Sequence, residues 1–454
     1  MDIDKLIHVR RSLNSGGQVV VLNDGAIITA EDKAMLQAMY SRSPASIDEH
    51  LKKLAQVGSG KFMGTFYVGY GHKSIGDCGD VCIFVEGVSM LVAKAFQDSM
   101  LYRGQECSTR YLDFSAQPFL NPYDSPVING YKEKWRDFYV AYMPVVKSHV
   151  AQQFPRREGE DEKIYDKAIA ARAFDIMRAF LPAGAATSFS ITSDLRQIAD
   201  RMLELRYHPL IEVKEVAEKM LSALREAYPN SFNQKVYPAT EDFYQSYMEG
   251  EYFLKLVGVW PNDVKLVRQG IDKVQLGEYF DLLQHRPKMV EIPKRVARTG
   301  TAQFRWQIDF GSYRDQQRHR AVIQTMPILT PHVGFESWYL EQLPDDVARA
   351  ARDQIRDFMI YLSDNYIHPH QQQYVIPMGF KVQCEVTGDL PALVYMVELR
   401  AGSTVHPTMR RRAQQLGVIL DKLFADNGLV LHVDKSDIGR FDVKRGKQDI
   451  VAKT

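Results

Sequence analysis

The chain has 454 residues, of which 45% are hydrophobic and 25% charged, ordinary globular material long enough for two or three cores. A formal net charge of +1 offers neither a basic field for nucleic acid nor an acidic tail, so any recognition has to use local clusters. Cys78, Cys82, Cys107 and Cys384 are too sparse for a disulfide framework and fit a reducing, cytoplasmic setting, and no apolar run approaches the roughly 18 residues that a membrane helix needs.

In chain order, Gln18 to Leu22 (QVVVL) reads as a strand and Asn23-Asp24-Gly25 as a turn. Thr29 to Met39 reads as a helix with Thr29 as its N-cap, and Ser46 to Leu54 as another. Gly58-Ser59-Gly60 breaks the pattern before the loop GYGHKSIGDCGD at 69–80. Val81 to Val85 is strand-like, and Ser89 caps a helix running toward Met100. Amphipathic spacing predicts helices over Tyr165–Phe180, Pro209–Tyr228, Pro344–Leu362 and Arg410–Phe424. The clearest strand is the alternation of Ala302, Phe304, Trp306, Ile308 and Phe310 with polar residues. Gly311 ends it, and Ser312 with Asp315 predicts an N-cap for a short helix through Gln317, which finishes in Arg318-His319-Arg320.

Counting exposes a repeat. With Phe84 set against Phe304, the helix after each strand coincides, and Asp98-Ser99-Met100 stands opposite Arg318-His319-Arg320. Pro182 precedes Arg206 by 24 positions and Pro377 precedes Arg400 by 23, with Glu-Leu-Arg and a following His-Pro in both. VVVLNDG at 19–25 has a looser counterpart in VKLVRQG at 264–270. The chain therefore reads as two diverged copies of one α+β domain, each a sheet with flanking helices, over residues 1–245 and 246–454.

Several clusters carry possible chemistry. Three consecutive basic side chains cannot share a helix face, so Arg318, His319 and Arg320 fan out, either as a solvated helix end or around a phosphate or planar ring. If 106–111 is extended, Glu106, Ser108 and Arg110 face one way and suit a phosphate and a ribose or imide group; the alternative is a surface strand with an ion-paired arginine. Arg206 and Arg400 end apolar segments and read as helix-end cations or anion ligands, and Arg410-Arg411-Arg412 as a solvated face or a small-anion site. His72 with Cys78 and Cys82 lacks the second ligand pair of a zinc site, and Cys107 has no evident base, which favours an inert thiol. There is no GxGxxG or Walker loop.

These residues resemble the flavin-dependent thymidylate synthases, whose signature runs Arg-His-Arg, two residues, Ser, one residue, Asn-Glu or Asn-Gln, one residue, Ser, one residue, Arg-Tyr. Here it looks divided: the first copy has GHKS at 71–74 and ECSTRY at 106–111, and the second has the triplet at 318–320. ELRYHPLIEVKEVA and ELRAGSTVHPTMRRRA are similar to the family's substrate-side helix, with Lys214 and Arg410 near its binding arginine. Against the signature, Asp98-Ser99-Met100 replaces the triplet in copy one, Arg103 stands for the first Ser and Gln105 for Asn, while Ile323, Thr325 and Met326 depart from it in copy two.

The resemblance implies methylation of carbon 5 of a pyrimidine nucleotide, most simply dUMP to dTMP, with FAD as cofactor and methylenetetrahydrofolate and NADPH as cosubstrates. It assigns Arg318, His319, Arg320, His72 and Ser74 to the flavin, and Glu106, Ser108, Arg110 and Arg410 to the nucleotide. It names no protein base, because the cofactor carries the chemistry. It also implies a homodimer forming a pseudo-tetramer, with no nucleic-acid or membrane partner. A retired nucleotide- or flavin-binding scaffold, or an enzyme acting on another uridine nucleotide, stands as the alternative.

Overall fold

The computed structural model describes residues 3–25, 27–41, 43–109, 112–233, 235–252, 260–326 and 328–436. It is mixed α and β with two antiparallel sheets. Compactness divides the chain into two units that are not contiguous in sequence. The first takes Met1–Tyr111, Gln117–Ser125 and Gly184–Phe253, and the second Leu112–Ala116, Pro126–Ala183 and Leu254–Thr454. Descent by repeat and compactness are separate questions, and the contiguous halves 1–245 and 246–454 are not the compact bodies.

The first unit contains strands β1 (Ile7–Ser12), β2 (Gln18–Leu22), β3 (Asp80–Ser89), β4 (Arg103–Glu106) and β5 (Ala186–Asp194), in the order β1-β2-β3-β5-β4. Val19, Val21, Ile83 and Val85 are fully buried and fix the inner face. Gly87 lies in β3 at a φ of 69°, where the β3–β5 register slips. A Cβ on the facing Gly17 would sit 2.0 Å from the Glu86 carbonyl oxygen, so this bulge needs glycine on both sides. Thr29 and Ser46 cap the helices Ala30–Tyr40 and Ile47–Val57 through capping boxes, and Ser89 caps Met90–Gln97.

The second unit contains β6 (Lys265–Gln269), β7 (Thr301–Asp309), β8 (Ile323–Thr325) and β9 (Lys381–Asp389), in the order β6-β7-β9-β8. This matches the order β2-β3-β5-β4 of the first unit. On β7, Ala302, Phe304, Trp306 and Ile308 are buried as their alternation predicts, each large side chain contributing about 1.5–3 kcal/mol. Gln307 and Asp309 are buried as well, because the opposite face is covered there: the Gln307 side chain donates to the Trp260 carbonyl, and its main-chain carbonyl accepts from Arg412 Nε at 2.8 Å.

The helix after β7 spans Phe310–Gln316, and its N-cap is Asp309 rather than Ser312. Asp309 stands 220 positions after Ser89, the same offset that relates Phe304 to Phe84, so the two units cap this helix at corresponding positions. Pro126–Gln153, a helix of 28 residues with no strong amphipathic signal, was not expected from the sequence. Its Tyr131 and Trp135 pack on Phe358 of the helix Asp345–Asp364. Among the described residues no helix is long and apolar enough to cross a membrane.

Candidate functional site

In the first unit a cavity of about 650 Å³ runs along the helix Leu195–Leu205. Asp194 caps that helix and thereby sets the phase of Arg196, Asp200 and Arg206, which all line the cavity. The glycine loop contributes Gly69, Gly71 and Lys73, and the helix Ile211–Ala227 contributes Arg225. Five cationic side chains, Lys73, Arg196, Arg206, Arg225 and Lys235, face two carboxylates, Asp200 and Glu241. Lys73 Nζ lies 3.2 Å from Asp200, Arg196 pairs with Asp77, and Arg206 pairs with Glu241. Such an excess of cations in a concave site suits a phosphate. A neighbouring cavity of about 220 Å³, lined by Phe96, Tyr102, Ser193 and Tyr244, shares Arg196 and Asp200.

The wall leading to this cavity is aromatic. Residues Met63–Gly69 wind as a π-helix, with the Tyr70 N–H donating to the Thr65 carbonyl at 2.9 Å. Phe62, Phe66, Tyr70 and His72 follow one another as a ladder, their centroids 4.9, 5.8 and 6.2 Å apart. His72 and Ser74 are both exposed, on either side of the cavity-lining Lys73. Glu106 ends the edge strand β4 and accepts from Gln97 Nε2 at 3.0 Å. Because β4 stops there, the alternation expected to turn Ser108 the same way does not reach it; Ser108 is half-buried in irregular backbone. Arg110 lies outside the described residues.

In the second unit the basic triplet fans out, with Arg318 and Arg320 exposed and His319 buried. Gln324 on β8 holds the turn, donating to the carbonyls of Gln316 and His319. Arg400, at the end of the helix Leu390–Arg400, donates from Nε to His319 Nε2 at 2.6 Å. His319 is therefore an acceptor there, and burial together with the Arg400 charge pushes its pKa down to about 3. Asp315 lies in the field of Arg178, Arg400, Arg318 and Arg314, which hold its carboxyl below the usual range despite burial. Arg178 is shared with Asp175 and Asp309, so carboxylates and guanidiniums interleave beside the triplet.

Beside this cluster Asp309 Oδ2 accepts from the Ser312 N–H at 2.9 Å and from the Tyr339 hydroxyl at 2.8 Å. His406 Nε2 donates to the Asp175 carbonyl at 3.2 Å, and burial and the Arg178 charge push its pKa down to about 4. Arg410, expected at the nucleotide, donates to the carbonyls of Ala401, Asp434 and Ser436, so its guanidinium tethers the 434–436 segment. Arg411 and Arg412 both reach Asp263.

Arg196, Asp200, Arg225, Lys235 and Glu241 were not singled out from sequence. Only the Asp194 cap before a helix bearing Arg196 and Arg206 on its course hinted at them. Among the described residues no group of three or more His, Cys, Asp or Glu is placed to hold a metal ion, and all four cysteines are free. Burial raises the Cys107 thiol.

Comparison with known proteins bears on this geometry. A UPF0159 protein of Chlamydia pneumoniae is 25% identical across 76% of this chain and 75% of its own length. A UPF0159 protein of Chlamydia muridarum is 24% identical over the same shares, and one of Thermoplasma acidophilum 20% identical over 84% of this chain and 90% of its own. Residues 27–230, which include the glycine loop, the ECSTRY stretch and most of the charged cavity wall, match the family model of the thymidylate synthase complementing proteins, and by that match this part of the chain is related to that family.

Proposed function

We propose that the chain is a flavin-dependent enzyme of thymidylate synthase type, methylating carbon 5 of a pyrimidine nucleotide, most simply dUMP, with FAD, methylenetetrahydrofolate and NADPH. The observation that carries this reading is the coincidence of the family match over 27–230 with a cation-rich cavity built mostly from that stretch. Arg196, Arg206 and Lys73 would hold the nucleotide phosphate; Glu106 and Ser108, outside the cavity lining, are assigned to the nucleoside by the resemblance alone. A flavin adenine dinucleotide has a pyrophosphate and two planar ring systems. The exposed guanidiniums of Arg318 and Arg320 fit the pyrophosphate chemically. When bound, FAD supplies the hydride relay; the chain's own groups bind, orient and neutralise charge.

The experiment is the visible absorption spectrum of the purified chain before and after adding FAD, followed by titration with dUMP and an assay of methyl transfer. A flavin spectrum that shifts with dUMP is expected. A chain that never takes up flavin but still binds dUMP saturably would instead make it a retired nucleotide-binding scaffold. Asp98-Ser99-Met100, where the first copy lacks the basic triplet, is the observation that favours this second reading.

A further inference from the structure

Glu241 sits in the first turn of the helix Pro238–Tyr252, and its carboxylate reaches into the cavity wall. There it accepts from Arg206 Nη2 and from the Tyr207 hydroxyl. The Arg206 and Glu241 side chains each keep 18% of their exposure, so the pair is largely shielded from water without being sealed. Arg206 is also held over the Tyr207 ring, its guanidinium carbon 5.2 Å from the centroid, which fixes the donor whichever acceptor it meets. The helix carrying Glu241 is lightly anchored. Among its residues 238–250 only Met248 is buried, while Phe243 is 63% exposed. An element with so little buried surface opens at small free-energy cost.

Lys73 and Arg196 are partnered by Asp200 and Asp77, acids on the cavity's own framework. Arg206 differs in that its acid arrives from a separate, lightly held helix. We infer that Glu241 is an internal competitor for the anionic group of the cavity's ligand, clamping Arg206 until a phosphate displaces it. A phosphate oxygen makes the same charge-assisted contact with the guanidinium, so the exchange trades one anion for another and leaves Arg206 paired throughout. Displacing Glu241 also removes one of the cavity's two carboxylates from the ligand's neighbourhood. The competition sets a threshold, since only a ligand with further contacts in the cavity outbids a tethered carboxylate. This rests on the reading of the cavity as a phosphate site.

The test is calorimetric titration of inorganic phosphate and of dUMP into the full chain, E241Q, E241A, R206M and the R206M/E241Q double variant. Loss of the competitor is expected to tighten both ligands about tenfold in E241Q and E241A. In the R206M background the Glu241 substitution should change affinity less than twofold, because no clamp remains to be released. Phosphate affinity in E241Q and E241A that is equal to or weaker than that of the parent overturns the inference. Tighter phosphate binding with no dUMP binding in any variant supports the clamp and removes the nucleotide reading. Equal dUMP binding by parent and Glu241 variants does the reverse.

Discussion

The basic triplet shows how three adjacent residues divide their work. His319 turns inward and accepts from Arg400, while Arg318 and Arg320 stay at the surface. If the two arginines engage the flavin pyrophosphate, each charge-assisted contact contributes about 1.5–3 kcal/mol. The double variant R318A/R320A should then bind FAD at least about a hundredfold more weakly in a fluorescence titration. Affinity within a few-fold of the parent would remove the triplet from the flavin site. The inner residue gives a separate test. Arg400 depresses the His319 pKa by its charge and by donating to the ring, with burial the larger cause. R400M should therefore move the imidazole titration, followed by NMR, upward from about 3 but leave it below the ordinary 6.5, because burial persists.

At the scale of elements, the two units place a buried carboxylate at the same strand-to-helix junction on different residues. In the first unit Ser89 caps the helix, and its N–H and hydroxyl donate to the buried Glu212 at 2.8 and 2.6 Å. In the second the cap itself is the acid, Asp309, and the helix Pro407–Phe424 supplies Thr408, whose hydroxyl lies 2.7 Å from that of Ser312. Such a swap preserves one buried carboxylate at each strand-to-helix junction. D309A would strand the Tyr339 hydroxyl and uncap the helix together, at a cost of about 3–5 kcal/mol by urea denaturation. A loss below about 1 kcal/mol would show that the network is not structural. Strands and caps were legible because they follow from local alternation and cap chemistry, as in β7 and at Thr29, Ser46 and Ser89. The swap itself was not legible. Reading Ser312 as the cap hid that the helix begins after Asp309, and Glu212 gains meaning only from packing. The Glu-Leu-Arg match likewise misled in phase. Arg206 falls twelve residues after its cap Asp194 and Arg400 eleven after Asp389, so the two arginines leave their helices about 100° apart. The cavity was the least visible feature, since its cations come from four separate segments whose convergence no spacing encodes.

Across the whole molecule, the ionisable groups enclosed by the fold decide how stability responds to acid. His319 and His406 are buried in the second unit with pKa values near 3 and 4, each depressed chiefly by loss of hydration and then by a neighbouring arginine. In the unfolded chain both titrate near 6.5. Between those limits the unfolded state binds protons that the folded state refuses, so acid favours unfolding. The stability that neutral histidines permit is fully present above pH 6.5 and drains away as pH falls toward 4. Each histidine contributes a slope on the order of 1.4 kcal/mol per pH unit in that window. The depressed Asp315 adds to the loss at lower pH, in the same direction. Chemical denaturation monitored between pH 8 and pH 4 should therefore show a plateau above about 6.5 and a steep decline below it. H406Q should flatten part of the decline while lowering the plateau, because the amide can accept from Thr408 or donate to Asp175 but has no ring to titrate. A parent profile that stays level down to pH 4 would mean that these imidazoles take up protons inside the fold, and with that the neutral His319 acceptor for Arg400 would be lost.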